Sequence, residues 1–117
     1  MENLIEKYKD RLPKAYLDFL SKNQFFEGDL KEEFGYVALW DFKGLHEAWE
    51  GYGFQDRLGG DWFPIGSNLG DVIIAIKIKS PTQGLFYIPF IPMSAEYANP
   101  YCDDFAELYN AIENTTR

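Results

Sequence analysis

Seven consecutive residues, Val72-Ile-Ile-Ala-Ile-Lys-Ile78, constrain the fold of this chain more than any others. Side chains on a strand point alternately to its two faces, so a nearly continuous apolar run needs cover on both, at least at one end. The run therefore reads as a central strand. What surrounds it reads as more sheet. Tyr36-Val-Ala-Leu-Trp40 carries a Val and two aromatics, a strand-forming mixture. A second aromatic stretch, Asp61-Trp-Phe-Pro-Ile65, leads into the turn Gly66-Ser-Asn-Leu-Gly-Asp71. After the central run, residues 80–84 (Ser-Pro-Thr-Gln-Gly) make a turn into Leu85-Phe-Tyr-Ile-Pro-Phe90, most simply as a hairpin. Pro89 has no N–H for a ladder, which puts it at a strand end or an edge.

Helices flank this block. Leu4, Ile5, Tyr8 and Leu12 follow helical spacing. A second helix over residues 13–22 opens on Pro13, tolerated in a first turn, and sets Tyr16, Phe19 and Leu20 on one face, with Asn23 as its breaker. Residues 25–30 read as a short strand or extended loop, with a turn available at Gly28-Asp29. Asp41 can cap a helix over residues 41–51 by accepting an N–H near Lys43 or Gly44. Leu45, Ala48 and Trp49 are its inner stripe and Glu47 and Glu50 its outer one. Residues 51–60 hold four glycines and read as loop; residues 91–101, with Pro92 and Pro100, read as irregular. A last helix starts near Asp104, with Glu107 completing an acidic capping box and Phe105, Leu108, Tyr109 and Ile112 facing the core. Short turns between consecutive strands and helices at the start, middle and end predict an α+β domain with a twisted, mainly antiparallel sheet. Trp40, Ile65, Ile74, Ile76, Phe105 and Leu108 are expected inside it.

A chain of 117 residues is one domain, here residues 1–117, and buries about two-thirds of its open-chain surface on folding. The lone Cys102 has no partner for an internal disulfide, and residues 1–10 lack the basic and apolar regions of a signal peptide. No apolar run approaches the ~20 residues of a membrane span. The expected location is the cytoplasm. A formal net charge of -8 repels phosphate backbones and anionic membranes, so neither nucleic acid nor membrane is expected as a partner. The same field attracts cationic proteins, although solubility alone accounts for an acidic surface.

Three constellations invite a chemical reading, and each has a plainer one. Cys102 and His46, with Asp103 or Asp104, contain the residue types of a thiol nucleophile set, but nothing in their spacing brings them together. His46 and Glu50 stand at i, i+4 on one helix, a metal-ligand spacing with no third ligand, and so read as a surface ion pair. Gly66-Ser-Asn-Leu-Gly70 lacks the Lys and the glycine spacing of a phosphate loop and reads as a tight β-turn. No catalytic residue, cofactor site or metal site is assigned. The chain reads as a non-enzyme.

Several of these segments taken together resemble the SUKH superfamily. The first-helix pattern Leu12, Pro13, Tyr16, Phe19, Leu20 is similar to that of its members. So are the passage Leu39-Trp-Asp-Phe-Lys-Gly-Leu45, the later Tyr52 and the turn Phe63-Pro-Ile-Gly-Ser-Asn-Leu-Gly-Asp71. A strand near Gly84 and the helix start at Asp104, where Ser is more usual, complete the match, which runs from about Leu12 to Ile112. The superfamily contains fungal cell-wall-synthesis regulators and many bacterial immunity proteins against secreted toxins, often nucleases. The resemblance implies a binding protein, in keeping with the lack of a catalytic residue set, and a monomer is the expected state. Its expected partner is a basic toxin domain; the alternative is a cytosolic adaptor with a non-toxin partner. Two acidic clusters could meet such a partner. Glu27, Asp29, Glu32 and Glu33 lie beside Phe25-Phe26 and read as a solvated turn. Glu47, Glu50, Asp56 and Asp61 surround the aromatics Tyr52, Phe54 and Trp62, which are expected to be exposed. The second set joins charge to rigid aromatic area, as interface centres do, and is the expected contact surface.

Overall fold

The computed structural model describes residues 3–22, 25–30, 34–78, 84–91 and 93–115. Six strands form one antiparallel meander in chain order: β1 (Phe26–Asp29), β2 (Tyr36–Leu39), β3 (Trp62–Ser67), β4 (Val72–Lys77), β5 (Leu85–Pro89) and β6 (Asn99–Cys102). Among the described residues five α-helices accompany them: α1 (Asn3–Tyr8), α2 (Lys14–Ser21), α3 (Phe42–Tyr52), α4 (Phe54–Leu58) and α5 (Phe105–Thr115). The expected α+β architecture stands.

The alternation in β4 divides the core in two. Ile74 and Ile76 face one side with Val37, Leu39, Phe63, Ile65 and Leu85, under α1, α2 and α5. Ile73 and Ala75 face the other with Trp62 and Ile88, under Phe54 and Leu58 of α4. A strand that offers apolar groups to both sides gains only if both are covered, and here both are. Tyr16, Phe63 and Phe105 meet edge to face at the centre of the first layer. Toward that layer the sheet curls: Tyr87 and Tyr101, from β5 and β6, donate hydroxyl hydrogen bonds to the Phe34 carbonyl between β1 and β2, at 3.3 and 2.9 Å.

Local signals place the helix ends. Asp41 Oδ1 accepts from Gly44 N–H at 2.8 Å. Asp104 accepts from Glu107 N–H at 3.0 Å, while Glu107 reaches back to the N–H of Asp103, one residue before the expected position. Pro13 stands just outside the first turn of α2, as its cap residue. In the β3–β4 hairpin, Asn68 Oδ1 accepts from Gly70 N–H at 2.8 Å, and Ser67 Oγ accepts from Leu69 N–H at 3.1 Å. Those bonds hold Leu69 at a φ of 61°, a left-handed conformation that an unsupported leucine avoids.

Four expectations change. Residues 51–60 are largely helical: α3 runs to Tyr52, Gly53 turns left-handed, and α4 follows because Phe54 and Leu58 find a sheet face to bury against, with Gly59 at positive φ beyond its end. Residues 99–102, expected to be irregular, are the edge strand β6, whose Pro100 lies opposite Phe86 and needs no ladder donor there. Gly28 and Asp29 lie within β1, opposite Val37 and Tyr36, and do not turn. Trp40 is half-buried because it sits just past β2 and packs against both core layers at once. Asn23 and most of the turn at residues 80–84 lie outside the described residues.

Candidate functional site

Three segments distant in sequence meet at one end of the sheet. The α3–α4 junction contributes Tyr52 and Arg57, the β3–β4 loop Gly70 and Asp71, and the chain after β5 Phe90, Ile91 and Met93. Between them lies an open groove of about 630 Å3. Its walls are tied together, since Phe90 N–H donates to the Asp71 carbonyl at 2.9 Å.

Gly53 decides which aromatics reach this groove. Its φ of 64° and ψ of 43° end α3 and reverse the chain. Tyr52 is left outside, 45% exposed, while Phe54 is carried inside to 1%. The two rings still stack, with centroids 5.4 Å apart, and Phe54 in turn lies against Trp40 and Trp49. Trp49 is itself pinned by an Nε1–H bond to the Pro64 carbonyl at 3.1 Å. Tyr52 also meets Phe90 at 5.2 Å. The groove floor is thus anchored to the core. Ile91 stands 91% exposed at the rim, and exposed Leu69 projects from the β3–β4 loop beside Gly70.

The expected contact set does not stay together. Glu47, Glu50, Tyr52 and Asp56 are exposed along α3 and α4. Spacing of i, i+3, i+4 puts Glu47, Glu50 and Gly51 on one helix face, so the carboxylates lead toward the groove. Phe54 and Trp62, expected to be exposed, are core residues of the second layer. Trp62 buries to 6% against Phe86, under the Lys77 ammonium. Asp61 and Trp62 also lie at the opposite end of β3 from the groove, about 20 Å along the strand. Arg57, Leu69, Asp71, Phe90, Ile91 and Met93 were not among the expected residues. One sequence signal pointed that way: Phe90 and Ile91 are large apolar residues between two prolines, where no regular element can bury them.

The other acidic cluster is engaged at home. Glu27 accepts a 2.6 Å hydrogen bond from Tyr36 across the β1–β2 ladder, and that bond raises the Tyr36 pKa. Glu32 and Glu33 lie outside the described residues. Cys102 and His46 are not hydrogen-bond partners. Cys102 Sγ donates to the Asp104 carbonyl at 3.3 Å, and burial, with Glu107 and Asp104 adding repulsion, pushes its thiol up to about 12. A thiol held that high is protonated at neutral pH, the reverse of what a nucleophile needs. His46 does not make the expected surface pair with Glu50. It is buried, with its ring 4.5 Å from that of Phe42 and Nδ1 2.9 Å from the Phe42 carbonyl. Among the described residues no three His, Cys, Asp or Glu side chains gather as metal ligands, and no helix is long and apolar enough to cross a membrane.

Residues 2–111 match the family model of the SMI1 / KNR4 family (SUKH-1), and the chain belongs to that family. None of the curated proteins searched matches it.

Proposed function

We propose that this SUKH-1 family member is a non-catalytic immunity protein, which neutralises a basic toxin domain by binding it at the groove beside Tyr52. One observation carries the reading. An open groove, floored by core-anchored aromatics and tipped by Ile91, opens beside the exposed carboxylates of Glu47, Glu50 and Asp56 on a chain of net charge -8. Rigid aromatic area anchors interfaces, and surrounding carboxylates speed the approach of a cationic partner. A toxin that acts on nucleic acid needs a basic cleft, the complement of this field. Both sheet edges are poor sites for strand addition: β1 carries Glu27 and Asp29, and β6 carries Pro100. That leaves the groove end as the preferred contact.

The test is binding to and inhibition of toxin domains, taken first from any toxin gene that neighbours this one. Binding in the nanomolar range with loss of toxin activity is expected. Charge reversal at Glu47, Glu50 and Asp56 should slow association at low salt, an effect fading as the screening length shortens to ~8–10 Å. A neighbouring toxin that binds tightly but stays fully active, or no toxin binding at all, refutes the immunity reading and favours the adaptor.

A further inference from the structure

Tyr52 lies between two aromatic rings and is still partly exposed. Phe54 stacks on it with 22° between the ring planes, Phe90 flanks it, and 45% of the residue remains exposed. Ring faces elsewhere in this protein already hold cations: Lys7 and Arg11 at Tyr8, Lys22 at Tyr109, Lys77 at Trp62 and Phe86. Among the described residues no such cation lies over Tyr52 or Phe90. The negative face of an aromatic ring attracts cations. Asp71, in the same groove, adds a full carboxylate charge that forms no ion pair among the described residues.

We infer that this groove seats an arginine side chain of the basic partner, its guanidinium against the exposed part of the Tyr52 ring and paired with Asp71. The inference rests on the proposed reading of the chain as a binder of a basic protein. Arginine fits better than lysine because a planar, weakly hydrated fork both stacks on a ring and matches a carboxylate. Arg57 lines the groove too, and its like charge disfavours a bare metal ion or a polyamine. A peptide segment answers that objection, since its carbonyl oxygens accept from Arg57 while its side chain reaches Asp71. The occupant is therefore an arginine presented on a polypeptide.

Titration of the isotope-labelled protein with N-acetyl-arginine amide, followed by amide chemical shifts, tests this directly. N-acetyl-citrulline amide, alike in shape but uncharged, is the control. Shifts should converge on residues 51–53, 70–71 and 90–91, with citrulline at least about fivefold weaker. Asp71→Asn and Tyr52→Ala should each weaken arginine binding about fivefold, and Asp18→Asn, on α2, should leave it unchanged. Equal binding of the two amides, shifts centred elsewhere, no binding up to about 100 mM, or an inert Asp71→Asn overturns the inference. A toxin that binds the parent and Asp71→Asn equally well also overturns it while leaving the immunity reading intact. If the amide titration succeeds and no toxin binds, the immunity reading fails and the arginine seat stands.

Discussion

Replacing Gly66 with alanine should damage this protein more than its size suggests. A β-carbon built at Gly66 would lie 2.1 Å from the Ala38 carbonyl oxygen and 3.0 Å from both Cα and Cδ2 of Leu39. Carbon and carbonyl oxygen approach no closer than about 3.3 Å even in favourable contacts, so β2 and β3 must part by about 1.2 Å. These strands are joined by only two register pairs, Ala38 with Ser67 and Leu39 with Gly66, plus the Trp40 N–H bond to the Ile65 carbonyl at 3.1 Å. Such a separation takes that bond past useful reach. It costs about 1 kcal/mol for the bond and about 1–3 kcal/mol for overpacking against Ala38 and Leu39. Alanine returns about 0.5–1 kcal/mol by restricting the unfolded chain. The net loss should be about 1–3.5 kcal/mol, a large part of the 5–15 kcal/mol that holds an ordinary domain together. Urea titration followed by tryptophan fluorescence should show it, and thermal melting should give a Tm lowered by roughly 4–14 °C. Gly51→Ala is the matched control: the same change inside α3, where the new carbon meets nothing within 4 Å beyond its chain neighbours and the helix's own backbone, should gain up to ~1 kcal/mol. A Gly66→Ala protein within about 0.5 kcal/mol of the parent would refute the steric argument, because measurement error at that level conceals no strand separation.

The remaining predictions test the assignments of single residues. Gly53→Ala should cost ~1–2 kcal/mol in urea titration, because its φ of 64° is unfavourable for a residue with a β-carbon. Trp62→Ala should cost ~3–5 kcal/mol as a core truncation, whereas Tyr52→Ala should change stability by under about 1 kcal/mol and instead speed toxin dissociation. The reverse pattern, Trp62 neutral for folding and critical for binding, contradicts the burial of Trp62 in the second core layer. Native Cys102 should react with a disulfide reagent at about pH 8 some 10²–10³-fold more slowly than in the unfolded chain. Its pKa is raised from 9.0 to about 12 in the native state, so between those values the unfolded chain has lost a proton that the native one keeps. Stability should therefore fall as pH rises through that window, and burial of Tyr16 and Tyr101, which raises their pKa values above 10.0, acts in the same direction. A urea midpoint that stays flat from about pH 8 to 11 contradicts this linkage.

What could be read from the sequence was whatever depends on neighbours along the chain. Asp41 and Asp104 cap helices because a carboxylate reaches an N–H three residues on, whatever else the protein does. The alternating side chains of β4 required two covered faces, and the chain supplied them on α1, α2 and α5 for one and α4 for the other. The family resemblance was legible for the same reason, since its marks are helix faces and turns. Residues 99–102 were not legible as a strand, because β6 exists only by pairing with β5 and its own composition, Asn-Pro-Tyr-Cys, has little strand preference. Nor was the fate of the aromatics. Tyr52 and Phe54 flank Gly53, and the sequence holds no sign of which would go in; the left-handed turn and the vacant face of β4 together sent Phe54 to the core and left Tyr52 outside. The groove is tertiary altogether. Tyr52, Asp71 and Phe90 come from three different connections, and only the curl and register of the sheet bring an open ring, a carboxylate and an apolar wall to the same end of the molecule.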